Sequence, residues 1–412
     1  MKNTNYDLIV IGAGAAGIMA SIIAAREGKR VLLLEKLSQI AAKLKATGGG
    51  RCNLTNTLEN SEFMQSFGRD GRFMQDALKL FDYKALIDFF QNIGVETHAP
   101  DGFRVFPTSH SSVTIISALQ KELDLLGVET LLLSKVYNVV VSQNKVVGVE
   151  TDKETLLSDS VVLATGGLGY PTLGAEGDGH AMAQKLGHKT TELFPAMTPL
   201  KTKENWVASC RADTIAKAQI RVDMKKHKKL KATGDLIFTK NGIRGPVVLD
   251  FARELTPLID KYGEVPILIN MTKGMNEEQI ASHLKNESTL HPEKSVVELL
   301  NTLLPFALSN ELCKLANVNP QERYSKIQGS HRAKLINITA STPLTLNGHD
   351  GFKMAMITRG GVSLKEIDPK TMQSKIIKGL YFCGEIMNLD GPCGGYNLQW
   401  SFASGALAGK LL

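Results

Sequence analysis

A chain of 412 residues, 43% hydrophobic and 22% charged, has an ordinary globular composition and length for two or three domains. Disordered tails, collagens and heptad rods are excluded. The net charge of +7 is uneven: residues 201–231 hold ten Lys/Arg against three Asp/Glu, so this one segment carries the whole surplus.

Tyr6–Ile11 is a short Ile/Val-rich run and predicts a central strand. Gly12-Ala13-Gly14-Ala15-Ala16-Gly17 follows, and Ile18–Arg26 reads as a helix of small and apolar residues. Leu8–Ala25 carries no charge and could be mistaken for a signal peptide or membrane span. Asp7 is the wrong flank for a signal, however, and three glycines interrupt the run. No other stretch is long enough to span a bilayer, so a soluble protein is expected. Arg30–Leu34 is a second buried strand ended by Glu35, completing a βαβ unit in about 30 residues.

Thr47–Asn53 is a Gly-rich loop without room for regular structure. Asp76–Gln91 and Thr114–Leu126 have helical periodicity, and Val128–Leu133 is strand-like. Val136–Val141 and Lys145–Glu150 predict strands paired around Ser142-Gln143-Asn144. Ser160–Ala164 is a further buried strand before Thr165-Gly166-Gly167. From about Phe194 the composition shifts to strand-like runs at Ala218–Val222, Asp235–Phe238 and Val265–Ile269, which predicts a separate β-rich domain. Glu277–Asn317 reads as helices, and Ile336–Leu346 as a return to the β unit. Gly-rich character resumes at His349, with a strand at Gly379–Cys383 and a closing helix at Asn397–Leu411.

The strand, Gly-x-Gly-x-x-Gly and helix occur in the order a dinucleotide site requires. Gly12 permits the tight turn, Gly14 lets backbone approach a pyrophosphate on the helix N-terminus, and Gly17 allows close helix–strand packing. Glu35, 23 residues after Gly12, is placed to accept hydrogen bonds from ribose hydroxyls and disfavours a 2′-phosphate. Two distant Gly-rich segments converging on one long cofactor suit FAD better than NAD.

Five cysteines without a CxxC pair argue against a disulfide scaffold, a zinc ribbon and a close-spaced redox dithiol, and fit a reducing cytoplasm. Nine histidines show no HxH or HExxH spacing, so no metal site is expected.

Ala46-Thr-Gly-Gly-Gly-Arg-Cys-Asn-Leu-Thr-Asn56, Gly379-Leu-Tyr-Phe-Cys-Gly-Glu385 and Asp390-Gly-Pro-Cys-Gly-Gly-Tyr-Asn-Leu-Gln-Trp400 resemble the signatures of the BaiN-like flavoproteins, also called YhiN-type or aminoacetone-oxidase-like. Gly102–Pro107 and Gly234–Pro246 resemble segments of the same family, so the resemblance covers the whole chain. It implies an α/β fold in three parts. These are a Rossmann-like FAD domain split over 1–193 and 349–412, an inserted β-barrel-like domain over 194–272 and 327–348, and a helical domain over 273–326. It also implies a bacterial cytoplasmic FAD oxidoreductase; the pattern sets no His or Cys to tether the ring, so the FAD is expected to be held without a covalent link. Family members are associated with aminoacetone oxidation and with reduction of oxo-bile-acid intermediates.

Carried over residue by residue, the resemblance places Gly12, Ala16 and Gly17 on the pyrophosphate, and Glu35 and Lys36 on the adenosine ribose. Gly49, Gly50, Arg51, Cys52 and Asn53 lie along the flavin and ribityl chain. Val136 binds adenine through its backbone, with Ala164, Thr165 and Gly166 closing that side. Gly384 and Glu385 meet the ribityl or pyrophosphate region, and Gly395, Asn397 and Leu398 the isoalloxazine. The helix from Asn397 would aim backbone N–H groups at the negative charge of reduced flavin. Gly177-Asp178-Gly179 reads either as a segment beside the cofactor or as an ordinary helix cap. No catalytic residue is assigned. Arg104 is a candidate anion-binding or carbonyl-orienting residue against a structural ion pair, and Tyr396 a candidate proton donor against a packing role. Cys52 and Cys393 read as small thiols rather than a redox pair.

The expected reaction is hydride transfer between flavin N5 and a small carbonyl, amine or enone, in a cleft between the FAD and β domains. Without a second Gly-x-Gly-x-x-Gly, NADH or NADPH would enter that cleft as a transient electron donor and leave. Lys225-Lys-His-Lys-Lys-Leu-Lys231 reads as a solvated hairpin tip protecting an exposed edge, in preference to a nucleic-acid contact. The alternative is a flavin-dependent protein acting on or binding RNA through 201–231. The segment lacks the aromatics usual in single-strand recognition.

Overall fold

In a computed structural model describing residues 6–410, Leu8–Ile11 is the central strand of a five-stranded parallel sheet. The spatial order is Leu380–Phe382, Val161–Leu163, Leu8–Ile11, Val31–Leu34, Glu129–Leu131. The three inner strands are buried at every position. Their apolar residues run continuously rather than alternating, as expected for a parallel sheet covered on both faces.

The helix Ala15–Arg26 lies against the closing helix Tyr396–Lys410. Small residues permit the approach: a Cβ on Gly405 would stand 2.3 Å from the Ala16 carbonyl oxygen, and one on Gly409 2.4 Å from that of Ala20. Leu411, assigned to this helix on sequence, lies outside the described residues. Val136–Ser142 and Lys145–Thr151 form the expected hairpin, with Gln143 and Asn144 both left-handed at its turn and Thr155–Leu157 as a third strand. Asp76–Gln91 is two helices, Gln75–Leu80 and Tyr83–Asn92. The break falls at Phe81-Asp82, where the Asp82 carboxylate caps the second helix by accepting from Ala85 N–H at 2.9 Å.

The chain folds as two units, one of residues up to Phe194 together with those from Met356, the other Pro195–Ala355. The second unit holds a closed barrel, in order Leu200–Thr202, Gly242–Arg244, Lys231–Phe238, Thr214–Val222, Val265–Asn270 and Thr342–His349. Thr214–Val222 alternates buried and exposed residues over most of its length, the mark of a strand with one face on the core.

Two features of this unit differ from the sequence reading. Pro246–Tyr262 is a 17-residue helix where only strand-like runs were expected. It buries Val247, Val248, Phe251, Ala252, Leu255 and Ile259 along one face, with Pro246 at its start. Ile336–Ala340 is the end of the helix Gly329–Ala340, and the strand begins at Thr342. There Leu335, Ile338 and Thr339 are buried at the i, i+3, i+4 spacing of a helix, which a short apolar run does not reveal. Further helices occupy Glu277–Leu290, Val296–Leu300 and Phe306–Leu315. Among the described residues no helix is long and apolar enough to cross a membrane, and no group of side chains is arranged to hold a metal ion.

Candidate functional site

The first unit carries a narrow cleft at the C-terminal ends of its central strands. It is lined by Gly12, Glu35, Lys36, Ser134, Lys135, Val136, Thr165, Gly174 and Asp178, among others. Gly12 has φ +101°, and an added Cβ would meet the Ala164 carbonyl oxygen at 2.7 Å. On Gly17 a Cβ would lie 1.9 Å from the Gly12 oxygen, so the turn and the helix close on one another only through glycine. Gly14, by contrast, faces open space.

Glu35 shapes this cleft from the inside. One carboxylate oxygen accepts from Ala13 N–H and the other from Leu37 N–H, both at 2.9 Å. Each oxygen keeps a further lone pair, so ribose hydroxyls can be accepted as well. The Lys36 ammonium is engaged along the cleft wall, donating to Glu176 at 2.7 Å and Asp178 at 2.5 Å, with Lys135 3.5 Å from Asp178. Burial alone would lower the Lys36 pKa, but the hydrogen bonds and charges of Asp178 and Glu176 outweigh it and raise it. Burial likewise opposes ionisation of Asp178, and the two lysines overcome it and hold its pKa below the ordinary value. Asp178 caps no helix: the cap position is Gly177, φ +82°, and Asp178 is the first helical residue. Ser134, Lys135, Gly174 and Glu176 escaped the sequence reading because they share no motif and meet only in the fold.

The second half of the site joins three segments distant in sequence. Thr55 pairs with Val105 and Asn56 with Arg104, tying the Gly-rich loop to the 102–107 segment. The Asn53 amide donates to Val105 O and Thr55 O and accepts from Gly395 N–H at 3.1 Å. Asn56 donates to Gly394 O at 2.9 Å. Gly395 (φ +86°) lies so close that a Cβ would stand 2.5 Å from the Thr55 backbone. Asn397 binds Gly391 from both ends of its amide, accepting from N–H at 2.8 Å and donating to O at 2.9 Å. Asn53 and Asn56 hold the two Gly-rich loops together, and Asn397 closes the second loop on itself. Gly49 and Gly50 face open space, and Arg51 is exposed with its guanidinium 5.6 Å from the Phe106 ring.

Cys52 is fully buried with φ +59°, and burial pushes its thiol up to about 11, so it is protonated and inert at neutral pH. Leu398 is half-buried and packs against the core of this unit. Gly384 is shut in, since a Cβ would meet the Ala16 side chain at 2.9 Å. Glu385 accepts from Lys43 at 2.7 Å and from Thr358 N–H at 2.9 Å. Tyr396 is enclosed by the rings of Phe63, Phe67 and Phe103. Arg104 is exposed and donates to Asp101 at 2.7 Å, an ion pair within one turn.

The residues fit a flavin dinucleotide. Thr165 Oγ1 is buried in the cleft lining with no partner among the described residues, a group that a polar ligand would satisfy. Gly14, Gly49 and Gly50 leave room where a bound group must touch backbone. The helix Tyr396–Lys410 begins directly after the second Gly-rich loop.

Sheet, glycine turn and terminal acid define a Rossmann-type dinucleotide-binding protein. Comparison with known proteins narrows this: the model of the HI0933-like protein Rossmann domain matches residues 6–411. The chain belongs to that family and is an FAD-dependent oxidoreductase. It is 30% identical over 403 residues to the 3-dehydro-bile acid delta(4,6)-reductase of Clostridium scindens, covering 97% of each chain. It is 29% identical to the ribosomal RNA dihydrouridine synthase of Escherichia coli, covering 97% of this chain and 96% of that one. The solved 3-ketosteroid delta1-dehydrogenase of Sterolibacterium denitrificans shares the fold, with a TM-score of 0.53, 12% identity and 98% of each chain covered.

Proposed function

We infer that this chain uses FAD to saturate a carbon–carbon double bond conjugated to a carbonyl, with NADH or NADPH as a transient electron donor. The observation that carries this reading is the bond shared by two relatives aligned over nearly their whole length. A delta(4,6)-reductase acting on a 3-dehydro-bile acid saturates double bonds conjugated to a ketone. A dihydrouridine synthase saturates the uracil ring bond conjugated to a carbonyl. Of the carbonyl, amine and enone classes compatible with the motifs, only the enone is common to both. The workplace would be the cytoplasm and the substrate a small molecule.

FAD supplies a hydride donor and acceptor at its ring N5. The chain's own residues bind and orient it. Gly12, Gly14, Ala16 and Gly17 would carry the pyrophosphate on the helix N-terminus. Glu35 would take the adenosine ribose, with Val136, Ala164, Thr165 and Gly166 around the adenine. Lys36 closes this end through Asp178 and Glu176 rather than by touching ribose. Gly49–Asn53 and Gly395–Leu398 would flank the ring, and the N–H groups opening the last helix would favour negative charge on it.

The test is anaerobic and spectroscopic. Purified protein should show flavin absorbance that bleaches with NADH or NADPH and returns on adding 2-cyclohexenone or a 3-oxo-Δ4-steroid. Bleaching by aminoacetone alone, with no return on adding an enone, sinks the reading in favour of an amine oxidase.

A further inference from the structure

Tyr396 opens the last helix directly after Gly394-Gly395, in one of the two loops that would flank the ring. Its own ring is walled by phenylalanines: Phe63 at 5.0 Å, Phe67 at 6.1 Å and Phe103 at 6.4 Å between centroids. These walls press on the second Gly-rich loop. A Cβ on Gly391 would stand 2.5 Å from Phe67 Cζ, and one on Gly394 would stand 3.4 Å from Phe103 Cε1 and 3.5 Å from Tyr396 Cε2. Cε2 is the ring carbon next to the one that bears the hydroxyl, so the phenol end of Tyr396 is the end beside Gly394. Phe103 is tied in turn to the strand that leaves the first Gly-rich loop, its carbonyl accepting from Thr57 N–H at 3.0 Å. The phenol therefore sits where the two loops meet.

Tyr396 is 7% exposed, yet its hydroxyl has no hydrogen-bond partner among the described residues. Buried polar groups are paired as a rule, because an unmade hydrogen bond costs stability. Phenylalanine would fill the same aromatic shell without that cost, so packing alone does not account for the oxygen. Saturating a conjugated double bond needs a proton as well as a hydride, and a positioned acid supplies it. The neighbouring groups are unsuited to that task. Cys52 is sealed from solvent with its thiol pushed up to about 11. Arg104 is bound to Asp101 at 2.7 Å and, as a guanidinium, does not release a proton. The amides of Asn53, Asn56 and Asn397 are spent on Gly395, Gly394 and Gly391.

We propose that Tyr396 is the catalytic proton donor, its hydroxyl protonating the carbon α to the substrate carbonyl as hydride arrives at the β carbon. The assignment rests on the enone reading above. The π bond between the two carbons breaks and a C–H bond forms at each. The substrate gains two electrons from reduced flavin, and the phenolate left on Tyr396 recovers its proton from water. The FAD-loaded protein is titrated to full reduction with dithionite and mixed anaerobically with 2-methyl-2-cyclohexenone in a stopped-flow instrument. Tyr396→Phe should be reoxidised roughly 10²- to 10⁴-fold more slowly than wild type. Ferricyanide, which takes electrons and needs no proton on carbon, should reoxidise both proteins alike. The methyl group adds a second readout: the wild-type product should carry one configuration at C2, and the variant's residual product a mixture, since water can protonate either face. Because the deleted hydroxyl has no partner, the variant should keep its flavin and its melting temperature. If the enone reoxidises wild type and Tyr396→Phe keeps pace with the same product configuration, the assignment is overturned. Equal slowing with ferricyanide overturns it as well, being the mark of a packing role. If neither 2-methyl-2-cyclohexenone nor a 3-oxo-Δ4-steroid reoxidises wild type, the enone reading itself falls, and this assignment with it.

Discussion

Lys36→Met tests whether the adenosine end of the cleft is closed by charge. The substitution keeps the length of the side chain and removes the ammonium that joins Glu176 and Asp178 to the end of the second strand. The Lys36 side chain is 18% exposed and Asp178 28%, so the pair is neither free in solvent nor dry. Exposed pairs contribute about 0–1 kcal/mol, and losing one partner of a buried pair costs about 3–5 kcal/mol. A cost of about 1–2 kcal/mol lies between these limits, which raises the FAD dissociation constant roughly 5- to 30-fold. Free FAD fluoresces, so its release on dilution gives the constant directly. Asp178→Asn should do the same, and the double variant should be little worse than either single one. Equal affinity of wild type and Lys36→Met, or additive losses in the double variant, would refute the clasp. The pH dependence has a definite sign. Asp178 is held below its ordinary 3.8, so its contribution is present above that value and is lost as the pH falls through the folded-state value. Lys36 is raised above 10.5, so its contribution is complete below that pH and fades only as the pH climbs past it. FAD retention should therefore be flat across neutral pH and fail in acid.

Glu35→Arg removes the acceptor of two backbone N–H groups and puts a cation at the turn; it should purify with little FAD, and a full complement of flavin would contradict the role given to Glu35. Gly395→Ala forces a Cβ to 2.5 Å from the Thr55 backbone at φ +86°, so flavin content should fall while the barrel unit keeps its melting transition; unchanged flavin binding would show that the loops need not touch. Native Cys52, with its thiol pushed up to about 11, should resist iodoacetamide at pH 7.5 and react on unfolding, as read by mass spectrometry; rapid native labelling would mean that the loop opens. Arg104→Ala should leave the melting temperature and flavin content as they are, because its partner Asp101 lies within the same exposed turn; loss of flavin would assign it to the site.

The parallel sheet was legible because its strands are short, apolar throughout and punctuated by glycine, and because Glu35 ends the second strand at the right spacing. From its own residues the barrel was legible only as β-rich, while the family resemblance gave it as barrel-like, which the closed six-stranded barrel bears out. Pro246–Tyr262 was missed because its apolar stripe, Val248-Phe251-Leu255-Ile259, sits among strand-like runs, and Pro257 within it mimics a break. The site divides along a similar line. Residues whose role is set by their own backbone, such as Gly12 and Gly17, announce themselves through spacing. Residues whose surroundings are set by a distant partner do not: the motif that sets Lys36 beside the ribose says nothing of Glu176 and Asp178, about 140 residues on, which its ammonium engages. Asn53 and Asn397 were read as flavin contacts from their motifs, and their amides are engaged with Gly395 and Gly391. An amide satisfied by a glycine loop shapes the surface that the loop's backbone presents. Asn53 fixes the direction of the Gly395 N–H, Asn56 that of the Gly394 carbonyl, and Asn397 both polar groups of Gly391. The motifs located the segments, and which of their atoms meet the ring is what the Gly395→Ala variant tests.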